Sequence, residues 1–503
     1  MIVNNLPKKY PSPCVRSATI LSRSLVRSST RAKRRSPVRV EAPVPTSERT
    51  SPHEGHRTSL TENRHMARRT HNRKGGAMRP FQELTHFAGF DWASDHHDVV
   101  VVDRMGQIVE NFRFDDSAEG WSSFRKKMSP FPALAVAIET SSGPSVDRLL
   151  DASYSVYPIQ PKSAKAYRTR KAPSGVKDDV LDAWSLADAL RTDGSAWRPL
   201  KPEDPLTMEL RLLCRDEKEL IEERTAKVNQ LQAALHDYYP AALEAFNDWT
   251  AQSAWSLVEL FPTPQALQNA GKRKWEKFLH AHKLARPETY QKRLDIFARA
   301  TAFCGSAPAT AAKSLLAVSL VKLLHALEAR LKLYRERIQA IYDQHPDRDW
   351  FGSLPISVEG KTAPRLLAEL GTDRERFEDA NALQCHAGTA PVRFKSGQIE
   401  KAYLRRACNK HLRFAIHWFA DLSRDKCSWA AAYYTQKRSQ GKTHACALRC
   451  LGQRWIKILW KMWTTKTPYN PELHQQNQLK HGSWVLKLLP SKPAEQPLTT
   501  TLK

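Results

Sequence analysis

Asp179 and Asp182 stand three residues apart in Lys177-Asp178-Asp179-Val180-Leu181-Asp182-Ala183, and a helix there puts both carboxylates on one face. Val180, Ala183, Ala187 and Leu190 form a neighbouring apolar stripe that docks such a helix on a core. Like charges held that close repel, so the pair costs stability unless a divalent cation or a shared proton relieves it. An isolated Asp-x-x-Asp is usually only a solvated helix face. This one has company. Phe87-Ala88-Gly89-Phe90-Asp91-Trp92-Ala93-Ser94 reads as a short strand with an acid among apolar residues, and Leu134-Ala135-Val136-Ala137-Ile138-Glu139-Thr140 reads as a buried strand ending in Glu139. Acids in such places must be paired or metal-bound.

The elements that must position these acids lie between about 84 and 200. Strands are expected at Phe87 to Ser94, Asp98 to Asp103, and, after a turn at Arg104 to Gln107, Ile108 to Phe114. A helix from Ser117 to Lys127 follows, then the Leu134 to Glu139 strand, a helix from Ser145 to Leu150 and a strand from Tyr154 to Ile159. The Asp179 helix closes the unit, with Gly194 as its expected C-terminal cap. Three meandering strands followed by alternating helix and strand make a mixed α/β sheet and not a doubly wound parallel one. Asp91 then lies on the first strand, Glu139 at the end of the fourth and the Asp pair on the last helix, so all four can converge.

The whole chain has 503 residues, room for two to four domains, and its 41% hydrophobic content suits a folded globular protein. A formal charge of +27 favours polyanions, nucleic acid above all, with a basic membrane-surface protein as the competing class. No apolar run of about eighteen residues is present, so no membrane span is expected. Eight cysteines without a Cys-x-x-Cys pair are expected to be reduced, in a cytosolic compartment. His444, Cys446 and Cys450 have the wrong spacing for a zinc finger, and His53-Glu54-Gly55-His56 is an equally weak metal signal.

Residues 1–80 read as a disordered basic extension, rich in Arg, Ser, Pro and Thr. Thr19 to Arg27 resembles an organellar transit peptide; a nucleic-acid-binding arm, or a true start at Met66 or Met78, are the other readings, and the last is preferred. Residues 205–350 are a helical, coiled-coil region. Leu206, Leu210, Leu213 and Leu220, then Val228, Leu231 and Leu235, mark one long helix; Leu320, Leu324, Leu327, Leu331, Tyr334, Ile338 and Ile341 mark a second that pairs with the first or with another copy. Residues 240–312 are helical and carry no readable motif. In 351–470, Leu354 to Gly371 resembles a helix-hairpin-helix with only Gly360 at its hairpin. Ala387 to Gly397 follows, holding Arg393, Lys395 and Ser396, and then Lys401, Arg405, Arg406, Lys410 and Arg413. Ser-Gly in a loop is usually only a turn, but these cations would lower the hydroxyl's pKa and bind a phosphate for it to attack. Residues 471–503 read as a weakly ordered tail.

In order, Phe-Asp-Trp-Ala-Ser, a strand ending Ile-Glu-Thr, Lys-Asp-Asp-Val-Leu-Asp-Ala, Leu-Leu-Ala-Glu-Leu-Gly, and Ala-Gly-Thr-Ala-Pro leading to Ser-Gly resemble the insertion-sequence family one-ten transposases. These are DEDD enzymes, also described as bridge-RNA-guided recombinases, and the resemblance covers roughly 84–200 and 351–465. It implies an RNase H-like (RuvC-like) mixed-sheet catalytic domain, a coiled-coil helical linker and an all-α C-terminal transposase domain. It implies that Asp91, Glu139, Asp179 and Asp182 bind magnesium or manganese, and that Ser396 attacks a DNA phosphate and becomes linked to it. It further implies DNA ends and target as substrates, a structured guide RNA, a dimer or tetramer whose site joins acids of one protomer to the serine of another, no membrane, and a prokaryotic, nucleoid-associated cytoplasmic location. Two readings compete: a RuvC-like junction-resolving nuclease in which water attacks and Ser396 is a bystander, and a non-catalytic nucleic-acid-binding scaffold.

Overall fold

The computed structural model describes residues 79–175, 178–355 and 362–488. The expectations for the N-terminal extension, for Lys177, for the Gly360 hairpin and for the chain beyond 488 lie outside those residues. Strand β2 (His96–Asp103) pairs antiparallel with both β1 (His86–Trp92) and β3 (Ile108–Asp115). Helix α1 (Ala118–Met128) leads to β4 (Leu134–Ile138), which lies parallel to β1, and α2 (Pro144–Asp151) leads to β5 (Ser155–Pro158), parallel to β4. The sheet order is β3-β2-β1-β4-β5, the mixed sheet expected. Strand alternation gives it two faces. Ala88, Phe90, Val99, Val101 and Val136 pack with Phe114, Trp121 and Phe124 on one side. Phe87, Val100, Val102, Ala135 and Ala137 pack on the other against Ala183, Ala187 and Leu190 of α4 (Asp179–Asp193).

Before α4 comes a helix with no apolar period in its sequence, α3 (Pro161–Lys171). Gly194 caps α4 as expected, its amide donating to the Leu190 carbonyl, but with a φ of −63°, an ordinary right-handed value and not a left-handed one. A Cβ there would lie 2.6 Å from side-chain carbons of both Leu190 and Phe81, which would have to shift to admit it.

The chain then runs out along α5 (Pro205–Tyr238), folds into α6 (Pro240–Ala245), α7 (Gln252–Leu260), α8 (Pro264–Ala270), α9 (Lys272–Ala281) and α10 (Pro287–Arg299), and returns along α11 (Ala307–Gln344). The lobe has its own core around Trp255, Phe261 and Trp275. Helices α5 and α11 pack on each other along their length. Leu320, Leu324, Leu327, Leu331, Ile338 and Ile341 are buried within the chain, so this heptad seam is satisfied internally and is not offered to a second copy. Helix α11 is long and apolar enough by composition to cross a membrane, with a mean hydropathy of 1.4 in its most apolar stretch, but that buried face has its partner here.

At the base, α12 (Arg348–Gly352), α13 (Thr362–Leu370) and α14 (Ala380–His386) precede a two-stranded antiparallel hairpin, β6 (Val392–Ser396) and β7 (Ile399–Tyr403). Helices α15 (Lys410–Lys426), α16 (Ser428–Ser439), α17 (His444–Thr465) and α18 (Pro471–Lys480) complete the region. The all-α expectation for this part therefore fails at one place. Val392 and Phe394 before Gly397, and Ile399 and Tyr403 after it, fall at even spacing along their strands, a weak period-two signal that Lys401 interrupts. The expected tail also begins with structure: beyond α18, Val485 is buried and Trp484 stacks on Tyr433.

Candidate metal and nucleic-acid site

Residues two apart on a strand share a face, so Asp91 points the same way as Phe87 and Gly89, toward α4. Glu139 follows Ala135 and Ala137 on that same face just past the end of β4, where Ile138 lies beside Phe90 in the parallel register. Asp179 and Asp182 occupy the first turn of α4, an end whose unpaired amides favour negative charge. Gly89 lets this helix come close. A Cβ on it would lie 1.7 Å from the Ala183 carbonyl oxygen, so the backbone of α4 rests directly on β1 two residues from Asp91.

The acids feel one another. Burial first, then the charges of Asp182, Glu139, Asp179 and Asp98, push the Asp91 carboxyl up to about 6. Two arginines offset part of that repulsion. Arg168 of α3 donates from Nη1 to both oxygens of Asp182, at 2.6 and 2.7 Å. Arg113 of β3 grips Asp98 at 3.0 and 2.9 Å and also donates to Asp179 Oδ2 at 2.9 Å.

Asp98, Arg113 and Arg168 were not singled out from sequence. Asp98 was legible, since it faces Asp91 across the β1–β2 pair and opens an Asp-Val-Val-Val-Val-Asp strand. Arg168 had no such signal, because the stretch around it shows no apolar period. Among the described residues the group whose ligand atoms come within 4.8 Å of one another is His96, Asp98 and Asp179, which shares Asp179 with the four expected acids and lies at the edge of their site. All these donors except His96 are carboxylate oxygens, hard ligands that suit magnesium or manganese. His444, by contrast, hydrogen-bonds Tyr434 at 2.7 Å, and with Cys446 and Cys450 it forms no metal-binding group among the described residues.

Ser396 ends β6 beside Gly397, whose φ of +56° makes the turn. The hairpin is exposed throughout, and Arg393, Lys395 and Lys401 extend from it, Arg393 pairing with Glu400 at 3.0 Å. Arg406 and Lys410 are exposed, whereas Arg405 and Arg413 are half-buried and bond backbone carbonyls of Ala390 and Arg405. The hydrogen bonds of Asp179 and Asp182 go to Arg113 and Arg168 and not to the hairpin.

Two family models match this chain, one described as a transposase over residues 88–240 and one as the IS116/IS110/IS902 transposase family over 357–472. The first spans the acids and the second the hairpin and the helices behind it, so the class is that of a DNA transposase. Similarity runs through whole relatives as well. The mini-circle protein of IS117 from Streptomyces coelicolor, which bears the name of a transposase, is 32% identical over 386 residues, covering 74% of this chain and 92% of that protein. The IS110 43.6 kDa protein of the same organism is 29% identical over 60% of this chain and 74% of its own length. The IS900 42 kDa protein of Mycobacterium paratuberculosis is 27% identical over 59% and 73%. The chain belongs to the IS110 family of transposases.

Proposed function

We propose that this transposase excises and inserts its element with an RNase H-like acid site, formed by Asp91, Glu139, Asp179 and Asp182, acting together with the Ser396 hydroxyl. The observation that carries the reading is the placement of Asp91 beside the other acids on the α4 side of the sheet, where burial first, and then the charges of Asp182, Glu139, Asp179 and Asp98, push its carboxyl up to about 6. A carboxylate cluster kept at that cost is a site waiting for positive charge. Bound there, magnesium or manganese would neutralise charge building on the reacting phosphate.

The chain's own groups do the rest. Ser396 Oγ forms a bond to phosphorus while the bond from phosphorus to the strand's sugar oxygen breaks; that oxygen keeps the electron pair and leaves as a hydroxyl, carrying the proton the serine gives up. The phosphodiester is conserved as a seryl phosphodiester, so the reverse step rejoins strands with no added energy source. Arg393, Lys395, Lys401, Arg405, Arg406, Lys410 and Arg413 hold the backbone near the serine. Because Ser396 rides on an exposed hairpin, a second protomer's acids can meet it, giving a composite site in a dimer or tetramer. The diffuse basic surface suits a guide RNA that pairs with DNA while the protein reads backbone and shape.

Ser396→Ala is the deciding experiment. An exposed hairpin serine contributes little to folding, so the variant should melt like the parent, lose strand exchange and trap no covalent protein–DNA species. Strand exchange that survives the change favours a water-using nuclease instead. Metal-independent exchange, or exchange retained by Asp182→Asn, favours a scaffold.

A further inference from the structure

Helix α3 has two working faces. Ala164, Arg168 and Lys171, at steps of four and three, turn toward α4, where Arg168 meets Asp182 and Lys171 meets Asp188 at 2.8 Å. Ser163, Tyr167 and Arg170, at the same steps, line a cavity of about 550 Å³ together with Ile159, Gln160 and Trp197. The helix therefore stands between the acids and this cavity.

The cavity has fixed aromatic walls and an accessible polar lip. Trp197 and Tyr167 meet edge to face with ring centroids 6.1 Å apart, and the Tyr167 hydroxyl donates to Asp193 Oδ2 at 2.5 Å, which holds its ring in place. Trp197 is half-buried and packs on the α/β core. Gln160, Ser163 and Arg170 are exposed, so the lip offers an amide, a hydroxyl and a guanidinium. The volume is ample for one nucleobase. Helix α3 carries Lys162, Lys165, Arg168, Arg170 and Lys171 and no acid, which selects a polyanion over a peptide or a neutral metabolite.

Aromatic walls, an adaptable polar lip and a row of cations are the components of sites that stack single-stranded bases and track their backbone. A paired base could not enter, because its faces are already covered by its neighbours. We propose that this cavity takes one unpaired base of a single-stranded nucleic acid whose phosphates run along α3, stacking it on Trp197, with Gln160 and Ser163 meeting its edge and Arg170 its phosphate. The inference rests on the nucleic-acid reading of the acid site, to which the same helix delivers Arg168.

Deoxy- and ribo-homopolymers of about a dozen nucleotides, each with a fluorescent 2-aminopurine in the middle, test it on the full-length protein. Binding should quench the probe in at least one of the two arms, and the arm that binds tighter identifies the strand. Trp197→Leu should weaken that binding about tenfold and abolish the quench, while Trp197→Phe stays near the parent. Arg170→Glu and Gln160→Ala, both on exposed positions, serve if the leucine variant is unstable; the first should also flatten the salt dependence. Duplex binding should be unchanged in all of them. Single-strand affinity unaltered by Trp197→Leu and Arg170→Glu, or single-strand and duplex binding falling together, would overturn the proposal. Asp91→Asn, which disables the proposed chemistry, should leave single-strand binding and its quench intact, so the catalytic reading can fail without the cavity failing with it.

Discussion

Arg168→Gln is expected to tighten divalent-ion binding, an unusual sign for a change made beside a metal site. The guanidinium occupies both oxygens of Asp182, at 2.6 and 2.7 Å, and an incoming ion must displace it or share them. Charge-assisted hydrogen bonds contribute about 1.5–3 kcal/mol. With 23% of the arginine and 12% of the aspartate side chain exposed, solvent screening trims this to about 1–2 kcal/mol. Releasing Asp182 costs about 0.5 kcal/mol when the ion must order it again, too little to reverse the sign. The same cation also faces Glu139 and Asp91, so its removal lowers the repulsion an ion meets from that side. The first two effects net to about 0.5–1.5 kcal/mol, a gain of about twofold to twelvefold in affinity, and the lost repulsion adds to it. Calorimetric titration of the nucleic-acid-free protein with manganese reads it directly, with Asp91→Asn as the variant that should lose the ion. Unchanged or weaker binding by Arg168→Gln would show that the arginine supports the ion site and does not compete for it.

Other outcomes follow from the same geometry. In chelator, Asp91→Asn should stabilise the protein at high pH only: the folded carboxyl titrates near 6 and an unfolded one near about 4, so the cost is absent below about 4, grows between them and is full above 6. Denaturant melts should show a gain of about 1–3 kcal/mol at pH 7.5 and none at pH 3.5. Gly89→Ala should cost about 3 kcal/mol or more, since its methyl would lie 1.7 Å from the Ala183 oxygen; a parent-like melt would show that α4 does not rest on β1. Glu217 is 3% exposed and ties Arg335 and Arg365, so Glu217→Ala should cost about 3–5 kcal/mol, against less than about 1 kcal/mol for removing the exposed Arg337 from Glu209. Similar losses from the two would remove burial as the deciding factor.

The sheet was readable because its strands are written plainly: Val99 to Val102 and Leu134 to Ile138 are unbroken apolar runs bounded by turns. The acids were readable because Asp91 and Glu139 interrupt or end such runs, where an unpaired charge is expensive. What escaped had no period or a misleading one. Helix α3 has a single buried residue, Ala164, so it carries no amphipathic stripe to find. The hairpin at Ser396 does alternate, but with every residue exposed its apolar members have no core to mark them. The glycines at 89 and 194 were invisible for another reason. Gly89 meets the Ala183 carbonyl and Gly194 the Phe81 ring, neighbours distant in sequence that are known only once the chain is folded.

The long helices α5 and α11 begin and end at one place. Thr207 near the start of the first hydrogen-bonds His345, just past the end of the second, at 2.8 Å, and Arg215 and Arg365 anchor the same base through Glu369 and Glu217. Everything from about 221 to 330 is thus a spar whose root stays fixed however far it projects. Adding or removing seven residues from both helices together would keep the packed faces aligned and move only the outer lobe, by about 10 Å. In such a design, distance is a quantity that insertion and deletion can adjust without touching the root of the two helices.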